Sequence, residues 1–540
     1  MRINVLAAAI LCIAPAAAVA AAGDAAAALY STRCATCHGA QGDGQGPAAY
    51  LLYPHPRDFT KGTYRLRSTP SGSLPTDADL LRTVTNGIPG TAMPSFADLT
   101  EADRQALVDR VKRFSPRFQE EKAPAPISIG TEPEATPTDV ASGKEVYAKM
   151  QCAACHGEQG RGDGPSAPAL RDEDGMPIRP FDFTRGGRAK SGPGAGDLFR
   201  AMTTGLDGTP MPGYADSLTE RERWSVVHYV ISLGAGKPPP PKATGDITAA
   251  QVARLPEDAG APEWANLPQA TVALRSLWAR AEGAEALLVR AATDGKAIAF
   301  QLEWADRIAD RSAVRPQDFR DAVALQFPMG GPDEPFFGMG EKGRPVNIWH
   351  WRADWQADLE VFADVDKRYP AMAVDLTQKS DEQAPFHTGA AVKNPMSDTR
   401  RTTPVENLVA TGLGTLTSLP PEDQRVRGAG AWADGAWRVE VRRDLASAGG
   451  HDAQLAGRAG IPVAFAVWDG SAGDRNGQKR VSTWVKLTLP AASPAPAASA
   501  PGPLPPGPER CGVPGASAGA LLLAAFVWTR SRGGRKPRGG

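Results

Sequence analysis

At 540 residues the chain is too long for one hydrophobic core, so about three domains are expected. Its 60 Lys and Arg balance 60 Asp and Glu, so nothing points to nucleic acid, and 42% hydrophobic content excludes a wholly disordered chain. Plentiful glycine (57) and proline (49) imply long loops and linkers.

Residues 1–20 read as a secretory signal. Arg2 supplies the positive start, Val5 to Ala14 the short apolar core, and Ala18-Val19-Ala20 the small-residue cleavage site. Cys12 lies inside this segment. Residues 21–119 form a first unit, in which a short helix over Ala25 to Thr32 leads into Cys34-Ala-Thr-Cys37-His38. Cys-x-x-Cys-His is the attachment signature of a c-type haem: two thiols bond the porphyrin vinyls, and the next residue is held at the iron. Half a zinc site and a redox disulfide are the other meanings of Cys-x-x-Cys. The His directly after the second Cys, the export signal and a downstream methionine weigh against both. Leu80-Leu81-x-x-Val84 and Leu107-x-x-x-Val111-x-x-Phe114 have helical spacing.

After a proline-bearing linker, 120–138, the pattern recurs over 139–236. Cys152-Ala-Ala-Cys155-His156 repeats the attachment motif, and the Gly-rich flank 38–47 aligns without a gap to 156–165. Asp58-Phe59-Thr60 recurs as Asp182-Phe183-Thr184, and Thr91-Ala-Met93-Pro94 as Thr209-Pro-Met211-Pro212. This pattern reads as a tandem duplication. In both units the methionine lies 55 residues after the histidine, although Asp-Phe-Thr follows that histidine by 20 residues in one and 26 in the other. Met93 and Met211 are the expected second iron ligands, and a thioether raises the potential relative to a second imidazole. His55, in a Pro-His-Pro loop, and His228, on a helix, are expected to be surface or core residues.

Residues 237–261 read as a Pro-rich linker. Over 262–490 short alternating runs such as Ala297 to Trp304, Ala322 to Phe327, Val346 to Trp351 and Val463 to Trp468 read as strands of an antiparallel β-sandwich. The stretch 376–433 reads as an insertion of loops. An Ala/Pro linker (491–510), an apolar segment (511–530) carrying Cys511, and a basic tail (531–540) close the chain. The apolar segment is at the short limit for a membrane anchor, with the basic tail kept on the cytoplasmic side. The expected fold class is therefore two all-α units, an antiparallel β-sandwich and a C-terminal transmembrane or sorting helix.

Both haem units resemble class I cytochromes c nearly end to end. The resemblance implies Pro47 and Pro165 on the haem flank and a carbonyl holding each ligand imidazole. In the third region Ala322 to Pro328, Pro335-Phe-Phe-Gly-Met339-Gly340, Val346-Asn-Ile-Trp-His350-Trp351, Val405-Glu-Asn-Leu408 and Asn476-Gly-Gln-Lys479 resemble the haem b subunits of the ethylbenzene dehydrogenase family. That family also serves dimethylsulfide dehydrogenase and the chlorate and selenate reductases. The resemblance implies one haem b held between Met339 and Lys479, with Met329 and His350 as the nearest competing ligands. It also implies a molybdopterin oxidoreductase with an iron–sulfur subunit as redox partner. The tail resembles Myxo-type sorting signals. Together these features imply an exported multihaem electron-transfer protein with no substrate chemistry of its own. The alternatives are a dihaem cytochrome with a non-haem binding module and a peroxidase-like dihaem enzyme.

Overall fold

In the first unit, helices α1 (residues 25–33), α2 (Ala35–His38), α3 (Asp77–Asn86), α4 (Glu101–Lys112) and α5 (Arg117–Glu120) are joined by long irregular segments. Threonines set the helix starts. Thr76 accepts from the Asp79 amide while the Asp79 carboxylate accepts from Thr76, and Thr100 caps α4 in the same way through Asp103. The buried faces of α3 and α4, with Leu80, Leu107, Val108 and Val111, close on Tyr30 and Tyr64. The structure is a computed structural model; it describes residues 25–490 apart from 187–188, 237–241, 281–282, 331–333, 364, most of 372–400 and 448–449. The expected signal and everything from 491 onward, including Cys511 and the 511–530 segment, lie outside the described residues.

The second unit follows the same plan with α6 (Pro137–Lys149), α7 (Ala153–His156), α8 (Ala195–Thr204) and α9 (Glu220–Leu233). Helices α6 and α9 cross closely at Gly143, where a Cβ would lie 1.9 Å from the Ser225 carbonyl oxygen. Phe199 stacks on Trp224 at 4.3 Å in the core below.

The third region contains β1 (Ile247–Gln251), β2 (Gln269–Ala273), β3 (Arg275–Ser276), β4 (Ala286–Thr293), β5 (Ala297–Ala305), β6 (Ala322–Pro328) and β7 (Val346–Arg352). They are followed by β8 (Val405–Ala410), β9 (Thr417–Ser418), β10 (Arg427–Ala433), β11 (Ala436–Asp444), β12 (Gly460–Trp468), β13 (Arg480–Val481) and β14 (Val485–Thr488). They form one curled sheet in the order β10-β11-β5-β4-β1-β14-β12-β6-β7-β8-β9. Aromatic residues from its two halves meet inside the curl: Phe300 lies 6.2 Å from Trp349, and Trp437 lies 4.9 Å from Trp351. Strand alternation then assigns the faces. On β6 the buried Val323, Leu325 and Phe327 belong to this core, whereas Ala322 and Ala324 belong to a second apolar cluster on the opposite face.

The expected fold class needs correcting. Gly- and Pro-rich connections leave the haem units as short helices joined by long irregular chain, with single β-bridges such as Arg171 to Pro177, so they are not simple all-α domains. The sheet is mixed rather than antiparallel, because β1 runs parallel to both β4 and β14. Strand β1 falls in the stretch expected to be a linker, and β8, β9 and β10 fall where loops are expected. Among the described residues no helix is long and apolar enough to cross a membrane.

Candidate haem sites

In each unit the attachment motif ends a helical turn at a glycine, Gly39 (φ 77°) or Gly157 (φ 78°). The carbonyls of these glycines accept from Tyr30 and Tyr147 at 2.9 and 2.7 Å. His38 Nδ1 lies 3.0 Å from the Arg57 carbonyl, and His156 Nδ1 lies 3.2 Å from the Phe181 carbonyl. A carbonyl only accepts, so Nδ1 carries the proton and Nε2 of the neutral ring keeps its lone pair for a metal. Burial holds His38 neutral, with its pKa lowered to about 4, and lowers His156 for the same reason.

The Asp-Phe-Thr motif explains how the supporting carbonyls are aimed. Asp58 and Asp182 each accept from the backbone and hydroxyl of the following Thr, closing a tight turn. The Phe59 and Phe183 amides then donate to Gly42 and Gly160 at 2.7 Å. Both phenyl rings stack on the ligand histidines, at 4.5 and 4.8 Å between centroids. The methionine loops also match. Thr91 Oγ1 donates to Ile88 and accepts from the Met93 amide, and Thr209 does the same with Leu206 and Met211. Met93 and Met211 are both half-buried. The four cysteines are free and half-buried. This donor set fits a covalent c-type haem in each unit.

Pro47 and Pro165 are exposed, and the carbonyls that hold the imidazoles come from Arg57 and Phe181. Their position directly before Asp-Phe-Thr was the available signal. His55 is exposed. His228 is buried, its Nδ1 bonded to Asp139, so it ties α9 to α6 within the core.

A cavity of about 410 Å³ opens on the outer face of β6, β7, β8 and β12. Ala322, Ala324, Ala464 and Ala466 give it a shallow floor on which a flat macrocycle can lie. Met339 and Lys479 both line it. Met339 holds φ 79°, rare for a residue with a Cβ, in a turn tied by Gly340 to Phe336 (2.9 Å) and by Gly412 to the Met339 carbonyl (3.0 Å). Gln326, on the outer face of β6, donates to the Phe337 carbonyl and anchors the same turn. Lys479 is only 8% exposed, has no hydrogen-bond acceptor or ion-pair partner among the described residues, and sits 4.6 Å from the Trp468 ring. Burial lowers its pKa to about 8, which favours the neutral, ligating amine. His350 also lines the cavity, its Nε2 buried without a partner, whereas Met329 is not among the lining residues. The Arg352 Nε–H points to His350 Nδ1 at 3.3 Å, which leaves the His350 proton on Nε2. In that tautomer His350 is a donor rather than an iron ligand; of the arginines in the same walls, Arg352 pairs with Glu406 and Arg320 with Asp354, and Arg475 has no ion pair among the described residues. The cavity fits a non-covalent haem.

The three regions pack within one compact unit. Basic residues of the first unit meet acidic residues of the second: Arg57–Glu173 (2.6 Å), Lys61–Asp174, Arg65–Asp172 (2.8 Å) and Arg67–Asp207 (2.7 Å). Three of these acids sit in the turn bridged by Arg171 and Pro177, where the second unit carries its extra residues before Asp-Phe-Thr. Against the third region, the first unit contributes the buried Ala48 and Leu52, with Cys37 and Ala92 packed against them, to the apolar cluster that includes Met339.

These elements and donor sets define a cytochrome. Residues 261–480 match the model of the ethylbenzene dehydrogenase family, residues 140–234 that of cytochrome c, and residues 21–109 that of cbb3-type cytochrome c oxidase subunit III. A protein assigned as a respiratory nitrate reductase haem subunit of Haloferax mediterranei is 30% identical over 200 residues, covering 37% of this chain and 54% of that one. The chlorate reductase subunit gamma of Ideonella dechloratans is 28% identical over 188 residues, covering 35% of this chain and 58% of that one. A chain from a reducing HAO-like protein complex of Kuenenia stuttgartiensis is 44% identical over 38% of this chain and 94% of its own, with a TM-score of 0.38. The chain thus spans little more than half the length of the curated relatives it matches.

Proposed function

We propose that the chain is an exported electron-transfer haem protein that carries two covalent haem c groups and one haem b. Its partner on this reading is a molybdopterin oxidoreductase with an iron–sulfur subunit. Bound haem supplies one-electron chemistry at iron. The protein keeps the two histidine ligands in their metal-ready protonation state and lowers the cost of deprotonating Lys479. His38 and His156 are kept neutral by burial and aimed by a backbone carbonyl, with Met93 and Met211 at matched loop positions. A His and a Met on each iron leave no open position for substrate, which supports relay rather than bond-making.

The observation that carries the haem b assignment is Lys479. A buried lysine without an acceptor is costly, and this one lines a cavity shared with Met339. A pyridine haemochrome assay on the full haem-loaded chain is expected to give two c haems for each b haem. Lys479→Ala and Met339→Ala should each lower the b component and leave the c component unchanged. A parent protein with c haem alone would sink the assignment.

A further inference from the structure

We infer that the first cytochrome unit is the middle station of the relay, between the second unit and the haem b cavity, so that the electron path does not follow chain order. The inference rests on the function proposed above.

At the junction between the cytochromes, the histidine support of one unit meets the methionine loop of the other. Arg57, whose carbonyl holds His38, pairs with Glu173 at 2.6 Å. The Glu173 amide donates at 3.0 Å to Gly208, in the loop that ends at Met211. Arg67 grips the start of that loop, donating to the Thr204 carbonyl at 2.8 Å and to Asp207 at 2.7 Å.

The pattern repeats at the junction with the third region. The Met93 carbonyl accepts from Arg275 Nη1 at 3.4 Å. Arg275 lies on β3, which pairs with β13 immediately after Lys479, and the Leu277 amide donates to the Lys479 carbonyl at 2.9 Å. Cys37, a haem-attachment residue, packs in the same apolar cluster as Met339, and Leu51 forms part of the cavity wall. Cys34 and its counterpart Cys152 each pack into their own unit's core, but Cys155, the counterpart of Cys37, belongs to none of the apolar clusters that hold third-region residues among the described residues. The second unit meets the third region through the ion pair Arg185–Glu285 at 2.9 Å, between side chains that are neither haem-attachment residues nor iron ligands. Electron transfer falls off with distance between cofactors, so the apolar contact made by the thioether-bearing residue marks the shorter step.

Pulse radiolysis of the full haem-loaded chain tests this order by following the α-bands of haem c and haem b after a single electron enters. Met93→His and Met211→His keep the haem attached and lower the potential of one site each, since imidazole replaces the soft thioether. Met93→His should slow by about tenfold or more the transfer to haem b of electrons that enter at the second unit, because it raises a barrier in the middle of their path. Met211→His should leave the fast phase from the first unit within about twofold of the parent. If Met211→His slows that phase as much as or more than Met93→His, the second unit is the direct neighbour and the order is wrong. No effect from either variant also overturns it. Haem b is counted on the same samples by pyridine haemochrome; its absence removes the underlying function as well, and so separates the two failures.

Discussion

Arg57 is fixed at both ends: its carbonyl accepts from His38 of its own unit, and its guanidinium pairs at 2.6 Å with Glu173 of the other. The charge of Glu173 therefore bears on a residue that sets the first unit's ligand. Glu173→Gln leaves Arg57 uncompensated, and the added positive potential disfavours ferric iron. The midpoint potential of the first unit's haem c should rise by an amount on the order of 1 kcal/mol, tens of millivolts. Asp174→Asn is the control, because its partner Lys61 is more exposed and holds no ligand. Spectroelectrochemical titration checks both, and equal shifts in the two variants would refute a special role for Glu173.

Arg67 is the most buried cation of the interface, with a fully covered side chain bonded to three carbonyl groups and Asp207. Removing one partner of such a pair strands the other. Arg67→Ala should destabilise the chain by about 3–5 kcal/mol in urea unfolding. Arg67→Lys should recover only part, because the planar fork is lost. Lys61→Ala, at an exposed pair, should cost no more than about 1 kcal/mol. A loss at Arg67→Ala as small as that control would show that the interface is held elsewhere.

Each methionine loop closes over a glycine. A Cβ on Gly87 (φ 66°) would come within 2.5 Å of the Pro94 backbone and 2.7 Å of the Met93 carbonyl oxygen. Gly87→Ala should therefore displace the loop, on top of a backbone penalty of about 1–2 kcal/mol. Reduced Gly87→Ala protein is expected to bind carbon monoxide at the first haem c, where the parent does not. Gly72→Ala shares the positive φ (77°) but has open space around it, and should leave the spectrum unchanged. A low-spin, carbon monoxide-resistant Gly87→Ala protein would refute the assignment of Met93.

Asp306 and Asp321 converge with Asp469 at one end of the sheet, and none of the three takes part in an ion pair among the described residues. Burial, then the neighbouring carboxylates, raise Asp306 to about 6 and Asp321 to about 8. A raised carboxyl pKa means that the folded state keeps protons the unfolded chain releases. This contribution to stability is complete below the ordinary carboxylate value and is lost as pH rises through about 6 and then about 8. Asp306→Asn removes one of the two charges, so its melting temperature should fall less than the parent's between pH values of about 5 and 8.5. Parallel pH profiles for the two proteins would show that the pair does not titrate in this range.

The cytochrome sites were legible because covalent attachment needs a contiguous motif, and the methionine follows in a matched Thr-x-Met-Pro loop. The supporting carbonyls of Arg57 and Phe181 were not, since any residue type offers a carbonyl and only the turn behind it is encoded. In the third region the asparagines of Val-Asn-Ile and Glu-Asn-Leu serve the fold, Asn347 donating to Asn407 at 2.7 Å inside the core, while Ile348 and Leu408 of the same motifs line the cavity. The cavity lies on the other face, where alanines give no sequence signal beyond alternation. The interface was hidden for a different reason. Arg57 and Glu173 are 116 positions apart, and complementary charge at that separation has no local pattern. Parallel pairing of β1 was equally out of reach, because a five-residue strand after a proline run reads as linker.

The cluster that joins Cys37, Ala48, Leu52 and Ala92 to the third region changes what dissecting this protein would mean. Trimming the N-terminus by one unit, the mildest truncation on paper, would remove a wall of the cavity that Met339 and Lys479 line and strip the cover from an apolar sheet face. Ending the chain after the second unit would leave two cytochromes clasped to each other without the cavity that Met339 and Lys479 line. The smallest piece that keeps these contacts is therefore the whole span from α1 to β14, with no cut between the three regions.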